Sequence, residues 1–223
     1  MTECTIELEL LSDTLINSGE GFGAIIDSDI VFDDIGIPYI PAKRIKGCLR
    51  DAAREACVML DSAGIDKKAM NRENEYVIIE TAFGKSGDKE SAPVFFSNLM
   101  IKEYETNQLW LKYLAKTHKV LSRDSIISTF TTIRQQTAID DDGVADPHSL
   151  RTIRVLEKRL CFNGTVRIFT DDPDIIKILA LGCLNLRHIG TKRNRGFGEV
   201  ACKLYEGNTE VHILHELEAL CTK

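Results

Sequence analysis

The stretch GTKRNRGFGEV, residues 190 to 200, sets Lys192, Arg193 and Arg195 among Gly190, Gly196 and Gly198. Glycine admits positive φ and lets backbone approach a ligand closely, and consecutive amides flanked by cations offer donors to phosphate oxygens. That chemistry suits a sugar-phosphate backbone, although a Gly- and Arg-rich turn is also a common surface feature. A second cationic group comprises Lys43, Arg44, Lys46, Arg50 and Arg54, and a third Arg151, Arg154, Lys158 and Arg159. Residues 1 to 42, by contrast, carry nine Asp and Glu and no Lys or Arg. The formal net charge of -6 therefore hides strong segregation. Local basic patches bind polyanions even on an acidic protein, because charges beyond about a Debye length are screened.

Other motifs lose their chemistry on inspection. The Gly-x-Gly of NSGEGFG, residues 17 to 23, is half of a dinucleotide fingerprint, but the β-branched, Pro-punctuated sequence after it opposes the helix that motif must open. The GKS at 84 to 86 has Ile79 where a phosphate loop needs its first glycine. Asp140, Asp141 and Asp142 lack the alternating spacing of a calcium loop and read as an acidic turn. Histidines stand at 118, 148, 188, 212 and 215, none near the N-terminal loop; His188 reads as a helix-capping cation. Seven scattered cysteines with no CxxC pair argue against zinc or redox work and fit a reducing cytoplasm.

The elements that must position these residues follow from periodicity. CTIELELL, residues 4 to 11, alternates as a strand. Residues 42 to 60 form an amphipathic helix, with Ile45, Cys48, Leu49, Ala52, Ala56, Met59 and Leu60 on one side and Lys43, Lys46, Arg50 and Arg54 opposite. Residues 61 to 91 are polar with an apolar break at YVIIE, 92 to 101 read as a buried strand, and 107 to 121 as a possible helix. Residues 122 to 150 form a long polar excursion, which in a compact domain signals function or disorder. Asn163-Gly164 within residues 154 to 169 signals a hairpin turn. A helix is expected over 171 to 189, with Arg187 and His188 in its last turn, followed by the glycine-rich loop and a final strand, GEVACKLYE. This order of strand, helix, strand hairpin, helix, strand is α+β and ferredoxin-like, with insertions. The 223 residues suit one elaborated domain, and no apolar run approaches the roughly 18 residues of a membrane span.

Taken together, LxxRHxGTKRNRGFGEV at the C-terminal end resembles the glycine-rich loop of the repeat-associated mysterious protein (RAMP) superfamily, whose members form the backbones of class 1 CRISPR effector complexes. NSGEGFGAIIDSDIVFDDIGIPYIPAKRIKGCLRDA is similar to the N-terminal block of type III members, and TAFGKSGDKESAPVFFSNLMI to their central segment. IRQQTAIDDDGVADPHSLRTIRV resembles their thumb insertion, with closest similarity to the type III-D group. The resemblance implies an RRM-like palm with an N-terminal loop and a thumb hairpin at about 124 to 150, a RAMP fold covering residues 1 to 223, with the glycine-rich loop at 190 to 198. It also implies crRNA, complementary target RNA, like copies in a filament and other effector subunits as partners.

On that analogy Ser18, Gly19, Lys43, Arg44, Lys46, Arg50, Arg134, Arg151, Gly190, Lys192, Arg193, Arg195, Gly196 and Gly198 contact RNA. Relatives that cut target RNA need an aspartate shortly before the Pro-x-Ile-Pro element; alignment from Pro38 places Asp27 there, with Asp29 one pleat away on the same side. Asp27 would then hold a divalent metal ion, Mg or Mn. Asn98 replaces an aspartate found in some members, and the helix start Pro41-Ala42-Lys43-Arg44-Ile45-Lys46-Gly47 is more basic than usual. Three readings follow: a crRNA-binding backbone subunit that cuts target RNA with Asp27, a backbone subunit of the same architecture that does not cut, and a crRNA-processing endoribonuclease.

Overall fold

The structure, a computed structural model, describes residues 1–17, 26–63, 75–85, 92–117, 121–139, 142–144, 146 and 148–213. In chain order the elements are β1 (Thr2–Leu10), β2 (Tyr39–Ile40), α1 (Ala42–Ser62), α2 (Glu75–Phe83), β3 (Val94–Phe96), β4 (Leu99–Ile101), α3 (Tyr104–Thr117), α4 (Arg123–Phe130), β5 (Thr131–Gln136), β6 (Arg151–Leu156), β7 (Cys161–Ile168), α5 (Pro173–Asn185), β8 (Val200–Glu206) and β9 (Thr209–Glu210). Among the described residues no helix is long and apolar enough to cross a membrane.

Alternation places Cys4, Ile6, Leu8 and Leu10 of β1 in the core, and β1 lies at the centre of an antiparallel sheet ordered β2-β4-β7-β1-β8-β9, with β3 also pairing β7. The β4–β7–β1–β8 part is the strand order of a ferredoxin-like βαββαβ unit, with α1 and α5 as its two crossover helices. Both helices pack together on one face, α5 also against β8, and the fold is α+β as expected. Glu3, Glu9, Arg167 and Lys203 populate the opposite, solvent-facing side of the strands.

α1 starts at Pro41, whose extended backbone ends the preceding segment, and the side chain of Asn98 accepts the Ala42 N–H at 2.8 Å. The amide therefore caps α1 in the manner a carboxylate would. Ile45, Leu49, Ala52, Ala53, Ala56 and Cys57 form its buried stripe, while Met59, expected inside, is exposed. α5 has Asp172 as N-cap, accepting the Asp174 N–H at 3.1 Å, and Pro173 in its first turn.

Several elements differ from the sequence expectation. The YVIIE region is not a break but α2, whose Ile78, Ile79, Ala82 and Phe83 are buried against α1 and α5. The strand expected over 92 to 101 divides at Ser97 and Asn98 into β3 and β4. Asn163-Gly164 lies inside β7 instead of turning: the glycine leaves room for Leu99, since a Cβ there would meet Leu99 Cδ2 at 2.3 Å. The chain turns instead after β6, with Arg159 at φ 73°. The palm's hairpin is thus β3 and β4 with β7, and everything between is inserted. α5 stops at Asn185, so Arg187 and His188 open the glycine-rich loop, Arg187 carbonyl accepting the Val200 N–H at 2.9 Å.

The polar excursion carries α4 and β5, and β5 pairs antiparallel with β6 just beyond it, in register from Thr131 opposite Leu156 to Gln136 opposite Arg151. Thr14 and Leu156 exchange backbone hydrogen bonds of 2.9 and 2.8 Å, and Ser28 bridges Ile153 in parallel, so the base of this hairpin is clamped by the segments around the N-terminal loop.

Candidate nucleic-acid interface

The glycine-rich loop is pinned at both ends. Ile189 N–H donates to Gly198 carbonyl at 2.8 Å, Gly198 N–H to Asp13 carbonyl at 3.0 Å, and Thr191 N–H to Leu15 carbonyl at 3.0 Å. Gly190 and Gly198 both have positive φ, and a Cβ would stand 2.3 Å from Leu15 O and 2.1 Å from Ile189 O respectively. These two glycines are therefore required by close backbone approach, whereas Gly196, at φ 77°, faces open space. Between them Arg193–Arg195 form a 3-10 turn, with Lys192 in the left-handed region. The turn presents Arg193 and Arg195 as exposed cations.

One flank of the loop faces α1. Asn17, Lys43, Arg44, Gly47, Gly190 and Arg193 line a groove of about 520 Å³ between them. Arg44 Nη2 donates to Asn17 carbonyl at 3.1 Å. Burial pushes the Cys48 thiol up, opposed by the charges of Arg193 and Arg44. Lys46 and Arg50 do not line the groove; Lys46 is half-buried, its pKa lowered by burial and then by Arg50, and Arg50 lies 3.5 Å from Asp51. Of the expected cationic stripe of Lys43, Lys46, Arg50 and Arg54, only Lys43 lines the groove, where Arg44 joins it.

The other flank reaches the Gln136–Arg151 end of the β5–β6 ladder, opposite the end clamped at Leu156. Lys192 Nζ hydrogen-bonds Gln136 Oε1, and Gln136 pairs with Arg151 across the hairpin. Arg151 Nη1 is 3.4 Å from Asp27 Oδ1, while Thr152 N–H donates to Asp27 Oδ2 at 2.7 Å. The Thr152 amide above all holds the Asp27 carboxyl below its ordinary value; desolvation opposes this, and Arg151 adds to the lowering. Lys192 has its pKa lowered by burial and by Arg195 but raised by Asp27, so the carboxylate and the ammonium share one field. Asp27 is half-exposed.

Asp29 does not share that side. It is buried, receives Arg154 Nη1 at 3.1 and 2.9 Å on its two oxygens, and accepts the Ile30 N–H at 2.8 Å. Asp33 organises its own turn: Oδ1 accepts the amides of Ile35, Gly36 and Ile37 at 3.0, 2.8 and 2.8 Å, and Oδ2 the Tyr104 hydroxyl at 2.9 Å. Among the described residues no three His, Cys, Asp or Glu side chains come together as a metal site. Asp27, with one amide and one guanidinium already on it, does not make such a site alone, and the divalent ion expected there finds no cage in these residues.

Of the other expected contacts, Ser18 and Gly19 lie outside the described residues. Arg134 donates to Asp13 Oδ2 at 2.7 Å and so joins the hairpin to the segment that holds the loop. Asp51, Glu55 and Arg187 border a second cavity beside the loop; no sequence pattern marks Glu55 as part of it, because its partner Asn185 lies 130 residues away.

A family model described as the RAMP superfamily matches residues 7–201 of this chain. Among solved structures, the chain is similar to one in a cryo-EM structure of the Type III-B Cmr-beta bound to cognate target RNA, with TM-score 0.65 and 12% identity over 92% of this chain and 97% of that one. It is also similar to a chain of the Type III-B Cmr-beta in the apo state, with TM-score 0.61 and 13% identity over 92% and 98%. At these identities the likeness speaks for the fold. No curated protein matches.

Proposed function

The chain belongs to the RAMP superfamily, and from that premise we propose that it is a guide-RNA-binding backbone subunit of a type III CRISPR ribonucleoprotein in the cytoplasm, assembled with like copies and other effector subunits. The observation that carries this reading is the placement of the glycine-rich loop between two cationic surfaces, Lys43 and Arg44 on one side and Arg151 on the other. Phosphate contacts of this kind position RNA without reading its sequence. The similar solved structures come from a type III-B complex, one of them bound to target RNA; a type III-D affiliation rests on the thumb segment's resemblance. RNA extracted from the protein purified from its host and sequenced tests the proposal: repeat-derived guide sequence supports it, and the absence of bound RNA contradicts it.

The finer part of the proposal is that target RNA is cut at Asp27. A ribose 2′-hydroxyl attacks its own phosphodiester, the bond to the 5′-oxygen breaks, and that oxygen takes a proton from water. Asp27 accepts a hydrogen bond from the attacking hydroxyl and then its proton, while Arg151 faces the phosphoryl oxygens. A carboxylate held below its usual range is a weak base, so orientation of the hydroxyl is its larger contribution.

A second reading also has an observation behind it: Asp27 and Thr152 exchange two hydrogen bonds, 2.9 and 2.7 Å, which makes Asp27 a latch between its segment and β6 in a subunit that does not cut. Guide-loaded wild-type complex given complementary RNA with Mg²⁺ or Mn²⁺ separates the two. Cleavage that Asp27→Asn abolishes without loss of target binding supports cutting, and intact RNA with wild type supports the latch.

A further inference from the structure

Next to the phosphate groove lies a second cavity of about 380 Å³, lined by Asp51, Glu55 and Met59 of α1 and by Arg187, His188 and Arg193 beyond α5. Cys48, Asp51 and Arg193 border both spaces, so the two are contiguous. Its volume is within the roughly 300–1,000 Å³ of small-ligand clefts. Its chemistry differs from that of the groove. Asp51 and Glu55 stand one helical turn apart on the same side of α1, and Asn185 Nδ2 donates to Glu55 Oε2 at 3.3 Å and to Ala52 carbonyl at 3.0 Å, tying this carboxylate to the end of α5. Glu55 lines this cavity and not the groove, and its carboxylate repels phosphate, so this cavity does not extend the anion track. Across from them stand the cations Arg187 and Arg193, and Met59, about half exposed, offers apolar surface to a flat ring.

A ligand matching this lining needs N–H donors on one edge, acceptors on another and no charge of its own. Guanine has both: N1–H and the N2 amino group suit a carboxylate in bidentate fashion, and O6 and N7 suit a guanidinium. Adenine, cytosine and uracil each lack the paired donors from adjacent ring and exocyclic nitrogens. We infer that this cavity receives a single unpaired guanine base of the RNA whose phosphates lie in the adjoining groove, an inference that rests on the groove being an RNA interface.

The test uses oligo(U) octamers carrying one central guanine, inosine or adenine, with affinity read by fluorescence anisotropy at fixed salt. The expected result is about tenfold tighter binding of the guanine octamer, within the range of one good bidentate base contact. Inosine, which keeps O6, N7 and N1–H but lacks the N2 amino group, should fall between guanine and oligo(U), and adenine should bind as oligo(U) does. Glu55→Gln should erase the guanine preference while oligo(U) affinity stays the same or tightens slightly through lost repulsion. Equal binding of all octamers, or a guanine preference that survives Glu55→Gln, overturns the base pocket and leaves the phosphate groove standing. Failure of every octamer to bind at low salt overturns both.

Discussion

Three aspartates within seven residues, Asp27, Asp29 and Asp33, have separate fates that their spacing does not reveal. Period-2 alternation would put Asp27 and Asp29 on one side, but Arg154, 125 residues beyond Asp29, draws Asp29 into the core, while Thr152 and Arg151 hold Asp27 at the surface. Asp29→Ala leaves a mostly buried guanidinium without its carboxylate, and breaking such a pair costs about 3–5 kcal/mol; urea unfolding should show this as a lower midpoint, with little change for Asp27→Asn. At Asp33, burial and then the hydrogen bond to this carboxylate push the Tyr104 phenol up to about 12 from its ordinary value of about 10. The folded state thus holds this proton more tightly, so the associated stability is intact below about pH 10 and is lost as pH rises through 12. Ultraviolet titration of the tyrosines should contain one late step near pH 12 that Tyr104→Phe removes.

Among the elements, α1 and β1 were legible because their apolar periodicity is strong and local, and the glycine-rich loop because its composition is unusual. α2 was missed although Ile78, Ile79, Ala82 and Phe83 repeat at a helical interval; its polar flanks obscured the pattern. The Asn163-Gly164 signal failed for a tertiary reason, since that glycine serves Leu99 packing and not a turn. Position in the loop also separates glycines that look alike. Gly190→Ala and Gly198→Ala each drive a Cβ into a carbonyl oxygen and should lower both thermal stability and RNA affinity. Gly196→Ala meets no atom within 4 Å and should cost only the left-handed conformation, about 1–2 kcal/mol, with RNA binding retained. Differential scanning fluorimetry with an RNA-binding assay on the three variants checks this ranking; equal effects would mean that the pinned ends do not shape the loop.

For the whole molecule, the net charge of -6 gives no hint of a polyanion partner, yet the described cations nearest the loop gather along one strip from α1 to the Gln136–Arg151 end of the hairpin. The solvent-facing side of the sheet is not an equivalent surface: Lys102, Arg167 and Lys203 there are each within 4.0 Å of a glutamate oxygen, Glu7, Glu3 and Glu210 respectively. Sequence alone showed the basic clusters but not which of their members share a groove, because that depends on how α1 turns against the loop. A salt titration of single-stranded RNA binding tests the central claim most directly, comparing wild type with Lys43→Glu/Arg44→Glu/Arg193→Glu and with Lys102→Glu/Arg167→Glu/Lys203→Glu, two variants with the same change in formal charge. The groove variant should bind all sequences more weakly, with the slope of log affinity against log salt shallower by about 0.7 per lost phosphate contact, while the sheet variant keeps the wild-type slope. Equal losses in the two variants, or a groove variant with unchanged affinity and slope, would contradict an RNA interface between α1 and the glycine-rich loop.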